Sequence, residues 1–109
     1  MNIEQMVQYL REDATFQENV TAWKTIPAAD AQFADFPDTL DPRILNFYTA
    51  KGIERPYTHQ RAAFDAAARG KDFVVVTPTA SGKTLCYNIP VINELAKNPD
   101  ARALYLFPT

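Results

Sequence analysis

Phe73-Val74-Val75-Val76, followed by Thr77-Pro78-Thr79-Ala80-Ser81-Gly82-Lys83-Thr84, is the stretch that decides the fold. The first four residues are wholly apolar. Such a run fits a short strand covered on both faces, as in a parallel sheet. Thr77 to Gly82 reads as a loop. Lys83 then opens a helix carrying Leu85, Cys86, Ile89, Val91, Ile92 and Leu95. Pro90 lies inside that helix and should kink it or remove one backbone bond. Asn98-Pro99-Asp100 is a turn, and Ala103-Leu104-Tyr105-Leu106-Phe107 reads as a second strand. Strand, loop, helix and strand in this length predict a right-handed parallel βαβ unit, an α/β fold.

The loop matches G-x-x-x-x-G-K-[ST], the P-loop pattern, with Thr77 in place of the first glycine. Its residue types suit a chain of phosphates. Thr79, Ala80, Ser81 and Gly82 supply a loop whose amides, with the following helix N-terminus, can face anionic oxygens. Gly82 lets the backbone approach without a side chain in the way. Lys83 brings a positive charge to the β/γ-phosphates, and the Thr84 hydroxyl can reach Mg²⁺. Pro78 shapes the loop but has no N–H to donate. The missing first glycine argues against the kinase and GTPase type of P-loop.

Upstream, Asn2 with Gln5 three residues on forms a capping-box pattern, and Ile3, Met6, Val7 and Leu10 follow at helical spacing. Residues 13–40 show no period and read as an irregular segment anchored by Trp23, Phe33 and Phe36. Asp41-Pro42 is a strong helix start, with Ile44, Leu45 and Tyr48 on one stripe and Gly52 placed to end it. Thr58 can cap a further helix from His59 to Arg69, closed by Gly70.

Gln60 lies at the start of that helix, 23 residues before Lys83. Its carboxamide can meet an adenine at both N6 and N7, which would select ATP over GTP. His59, beside Gln60, reads as an exposed or capping side chain, and nothing in the sequence gives it a role as a base. Cys86, at helical spacing with Ile89, reads as a core thiol.

Three phrases together resemble a known family. Tyr57-Thr58-His59-Gln60, then Thr77–Thr84, then Leu104-Tyr105-Leu106-Phe107-Pro108-Thr109 are similar to motifs Q, I and the start of Ia of the superfamily-two DEAD/DEAH-box helicases. Within them, the chain resembles the RecQ-related branch of repair helicases that includes the mitomycin repair factor type. The resemblance implies the start of a RecA-like lobe over residues 53–109, preceded by a helical and irregular extension over 1–52. It implies ATP and Mg²⁺ as cofactors, with adenine read by Gln60 and flanked by Tyr57, and the triphosphate and metal held by Lys83 and Thr84. Pro108 and Thr109 would begin a segment that touches a nucleic-acid backbone, DNA rather than RNA, in a repair helicase. A different P-loop enzyme, such as a small-molecule kinase, and a non-hydrolysing nucleotide-binding module are the alternatives.

The 109 residues hold no D-E-x-[DH] motif, second lobe or arginine finger, so they should not hydrolyse ATP efficiently or unwind anything by themselves. Two strands would leave a parallel sheet largely uncovered, so a front piece of a longer protein is expected. With 47% apolar and 22% charged residues, the composition is that of a globular chain. No apolar run approaches the ~20 residues of a membrane span. The N-terminus lacks a secretory pattern, and one cysteine excludes an internal disulfide or a multi-cysteine zinc site. A cytoplasmic protein is the expectation. Residues 1–50 carry three bases against eight acids, and residues 51–109 eight bases against five acids, which hints at two functional zones.

Overall fold

The structure, a computed structural model, describes residues 1–78 and 80–108. Thr79 and Thr109, assigned above to the phosphate loop and the nucleic-acid segment, lie outside the described residues. Two compact units are present, Met1–Asp30 and Ala31–Thr109.

The first unit holds α1 (Ile3–Glu12) and α2 (Ala14–Gln17). The capping box forms as its sequence predicts: Gln5 N–H donates to Asn2 Oδ1 at 2.8 Å, and Asn2 N–H to Gln5 Oε1 at 3.0 Å. Asp13 then caps α2 by accepting from Phe16 N–H at 2.7 Å, inside the stretch read as irregular. Trp23 lies under the Arg11 guanidinium, 5.0 Å from carbon to ring centre.

The second unit is built on α3 (Pro42–Ala50), α4 (Thr58–Ala68) and α5 (Lys83–Lys97). Asp41 caps α3 with Pro42 in the first turn, as expected. Gly52 (φ 82°) and Gly70 (φ 64°) end α3 and α4 in the left-handed conformation. In both, the next residue's N–H returns to the helix, Ile53 to the Tyr48 carbonyl and Lys71 to that of Ala66, each at 2.9 Å. Leu40, Ile44, Tyr48, Phe64 and Ile89 form the core, with Phe36, Leu45, Ile53, Leu85 and Ala96 packed against it. Helix α5 runs on through Pro90, which has no N–H for the Cys86 carbonyl.

The structure does not show the predicted βαβ unit. Among the described residues neither 73–76 nor 103–107 forms a strand, and the one pairing is an isolated antiparallel bridge, Phe33 to Tyr57. The physical reason is that a strand exists only as one side of a hydrogen-bonded ladder. An apolar run says that a segment suits a sheet, not that its ladder partner is there. Alternation survives without the ladder: Val74, Val76, Leu104 and Leu106 are more than four-fifths exposed, while Val75 and Tyr105 are much less so.

The bridge places one strap over the start of α4. Ala34 N–H donates to the Pro56 carbonyl at 2.9 Å and Thr58 N–H to that of Gln32 at 3.0 Å. Arg61 Nη1 donates to the Asp35 carbonyl at 2.8 Å.

Candidate functional site

Helix α4 begins with two side chains that reach the loop before α5. Gln60 is buried, and its carboxamide is used at both ends. Its Oε1 accepts from the Tyr57 N–H at 2.8 Å, and its Nε2 donates to the Gly82 carbonyl at 2.9 Å. His59 Nε2 lies 2.8 Å from the Ser81 carbonyl oxygen. A carbonyl only accepts, so the ring donates through Nε2–H. His59 is therefore not the free or capping residue that its position in a first helical turn suggests. Nothing in the sequence pattern marks a donor aimed at a carbonyl 22 residues away.

The loop is also tied to itself. The Thr77 and Ser81 hydroxyls hydrogen-bond to each other across it. The Lys83 ammonium donates to the Thr77 carbonyl at 2.7 Å and to that of Pro78 at 2.9 Å. Ala80 has φ 61° and Gly82 φ 74°. At Gly82 a glycine is demanded twice. A side chain would be strained at that φ, and its Cβ would come within 2.6 Å of Gln60 Nε2. Sequence reasoning supplied only the need for close approach by phosphates.

Between these elements lies a cavity of about 640 Å³, bordered by Phe33, Arg55, Tyr57, Gln60, Ala80 and Gly82 among others. That volume suits a small-molecule ligand. Phe33 stacks on Tyr57 with ring centres 5.2 Å apart, and Tyr57 on His59 at 5.6 Å. Arg55 pairs with the Asp35 carboxylate at 3.1 Å, so it and the strap share one wall. The sequence marks Phe33 only as an anchor of an irregular segment. It is 48% exposed, and what it anchors is the wall of the cavity.

Of the residues singled out in the sequence, Tyr57, Gln60, Ala80 and Gly82 border this cavity, and Ser81 and Lys83 are bonded into the same loop. Thr84 is exposed in the first turn of α5, and Pro108 is exposed. Cys86 is fully buried; desolvation pushes its thiol pKa up, so it stays a neutral core group. Among the described residues no three His, Cys, Asp or Glu side chains cluster as a metal cage. None of the described helices is long and apolar enough to cross a membrane.

The chain is similar to known proteins. Residues 57–109 match the family described as DEAD/DEAH box helicase. The chain is 46% identical to the uncharacterized ATP-dependent helicase YprA of Bacillus subtilis (strain 168), over 92% of its own length and 13% of that protein's. It is 31% identical to the ATP-dependent helicase hrq1 of Schizosaccharomyces pombe, over 99% of its own length and 10% of that protein's. A crystal structure of the DUF1998 helicase MrfA bound to DNA and AMPPNP superposes with a TM-score of 0.87 at 40% identity, covering all of this chain and 15% of that one. The chain thus spans only a small part of the relatives it matches, and what it matches there supports a RecA-like fold. The helix that begins at Gln60's turn, the loop that ends in Lys83 and the likeness to these helicases agree, and residues 57–109 belong to the DEAD/DEAH box helicase family.

Proposed function

We propose that this chain binds ATP with Mg²⁺ at the Gln60–Lys83 site, as the first part of lobe 1 of an ATP-dependent nucleic-acid helicase that acts on DNA in repair. In this reading residues 53–109 open the lobe, residues 1–52 are its N-terminal extension, and segments 73–76 and 103–107 are strands of the lobe's parallel sheet. The observation that supports the reading is the joining of Gln60 to Gly82 beside the cavity, because a carboxamide suited to adenine and a loop suited to phosphates then meet at one opening.

The residues present fit the nucleotide. The absence of a Cβ on Gly82 lets the Gln60 amide sit directly against the loop backbone, so that the base-reading group and the loop stay together. Gln60 spends one acceptor site and one N–H on the backbone, which leaves a second N–H and a second lone pair for a base. Lys83 spends two of its three N–H donors on loop carbonyls, which leaves one for a phosphate oxygen. Thr84 offers its hydroxyl to Mg²⁺, which takes few protein ligands and keeps its waters. ATP, when bound, supplies the phosphoryl-transfer chemistry. This chain's residues bind and orient it, and Pro108 with Thr109 begins the contact to the strand backbone. DNA is favoured because MrfA, similar along the whole chain, was crystallised with DNA.

Lys83→Ala in the intact protein should abolish strand-stimulated ATP hydrolysis. Retained stimulation would remove the loop from the mechanism. Stimulation by single-stranded RNA and not by DNA would overturn the choice of substrate.

A further inference from the structure

Two successive side chains of α4 hold two successive carbonyls of the loop. His59 takes Ser81 and Gln60 takes Gly82, at 2.8 and 2.9 Å. None of the described peptide bonds is cis. In a trans peptide the C=O and N–H point in opposite directions. The Ser81 carbonyl and the Gly82 N–H belong to one peptide unit, so drawing that carbonyl toward α4 turns the Gly82 N–H away from α4.

Sterics alone do not fix this orientation. Rotating the 81–82 peptide changes ψ of Ser81 and φ of Gly82, and glycine accepts either sign of φ. The unit needs an external hold, and the imidazole supplies it. The ring is itself oriented by the column Phe33–Tyr57–His59, in which Tyr57 and His59 lie 12° from parallel. The Ser81 hydroxyl is engaged elsewhere, with Thr77.

We infer that His59 is a positioning residue of the phosphate loop: by holding the Ser81 carbonyl it sets the Gly82 N–H as a donor to phosphate oxygen. The inference rests on the nucleotide reading of the site, and it assigns His59 no contact with base or phosphate.

The test is equilibrium binding to the intact protein with three probes: Mg·ATP, inorganic pyrophosphate and adenosine. His59→Phe keeps a ring to stack on Tyr57 and removes the donor. It should weaken ATP and pyrophosphate about tenfold, the scale of one hydrogen bond, and adenosine by less than about twofold. His59→Gln restores an N–H near the Nε2 position and should recover most of the loss. Unchanged pyrophosphate affinity in His59→Phe overturns the inference. So does an equal loss for adenosine, which marks general damage, and so does failure of His59→Gln to rescue. If the unaltered protein binds neither ATP nor pyrophosphate, the nucleotide reading itself falls and takes this inference with it.

Discussion

Gln60 Nε2 lies 2.9 Å from the Gly82 carbonyl oxygen, and a Cβ on Gly82 would sit 2.6 Å from that same nitrogen. The amide therefore fills the space beside the glycine and bonds its backbone. Gly82→Ala must push Gln60 away and hold an alanine at φ 74°, the latter alone costing about 1–2 kcal/mol. We expect lower thermal stability and at least about tenfold weaker ATP binding, the scale of ~1.4 kcal/mol. If the clash is the cause, adding Gln60→Ala to Gly82→Ala should cost far less than Gln60→Ala alone, because neighbouring substitutions are not additive. Strict additivity in a double-mutant cycle would sink this account.

On the proposed reading, Gln60 also separates base recognition from phosphate recognition. Gln60→Ala should weaken ATP more than it weakens inorganic triphosphate, since only the former presents an adenine edge. Gln60→Glu keeps an acceptor for the Tyr57 N–H but loses the donor to Gly82, setting a carboxylate against a carbonyl. It should bind both ligands worse than Gln60→Ala does. Competition titrations with the two ligands read both comparisons. Equal losses of ATP and triphosphate in Gln60→Ala would remove the adenine-reading role.

Asp41 gives a pH signature remote from the cavity. Its carboxyl is held down at a pKa of about 2, first by hydrogen bonds from the Arg43 side chain (3.0 Å from Nε, 2.8 Å from Nη2) and next by the Arg43 backbone N–H at 2.8 Å. The folded value lies below the unfolded one, about 3.9. The stabilisation is thus complete above about pH 4 and is lost as pH falls through about 2. Asp41→Asn should flatten the fall of stability within that window and leave the slope above it unchanged. Urea denaturation between pH 2 and 6 measures this, and a parallel slope in the variant would show that the pair does not form.

What was legible in the sequence is what is decided locally. Asn2 with Gln5, Asp41 with Pro42, and the glycines 52 and 70 each act within one helical turn, and each does what its spacing predicts. Gln60 and Lys83 stand out through chemistry, because few residue types can read adenine or neutralise a triphosphate, and the structure bonds both into the loop before α5. His59 and Phe33 were not. One works by a single bond across 22 residues, the other by a stack across 24, and neither leaves a period in the sequence. The strand runs show the opposite case: their composition suits a sheet, but a ladder depends on partners that no local pattern specifies.

Asn93 joins the two ends of the second unit without bordering the Gln60 cavity. It is buried, and its Oδ1 accepts from the Asp41 N–H at 2.8 Å while its Nδ2 donates to the Thr39 carbonyl at 3.3 Å. These bonds tie α5 to the entry of α3 across more than fifty residues. Asn93→Leu has nearly the same shape but leaves a donor and an acceptor without partners, which costs about 1–3 kcal/mol for each group kept from water. Asn93→Asp keeps the acceptor for Asp41 but loses the donor and buries a charge, so it should recover little. We expect both variants to unfold at lower denaturant concentration, with ATP affinity in the folded protein unchanged. A change in affinity with no change in stability would mean that α5 transmits strain from its middle to the loop at its head, and that Asn93 tunes the site rather than the fold.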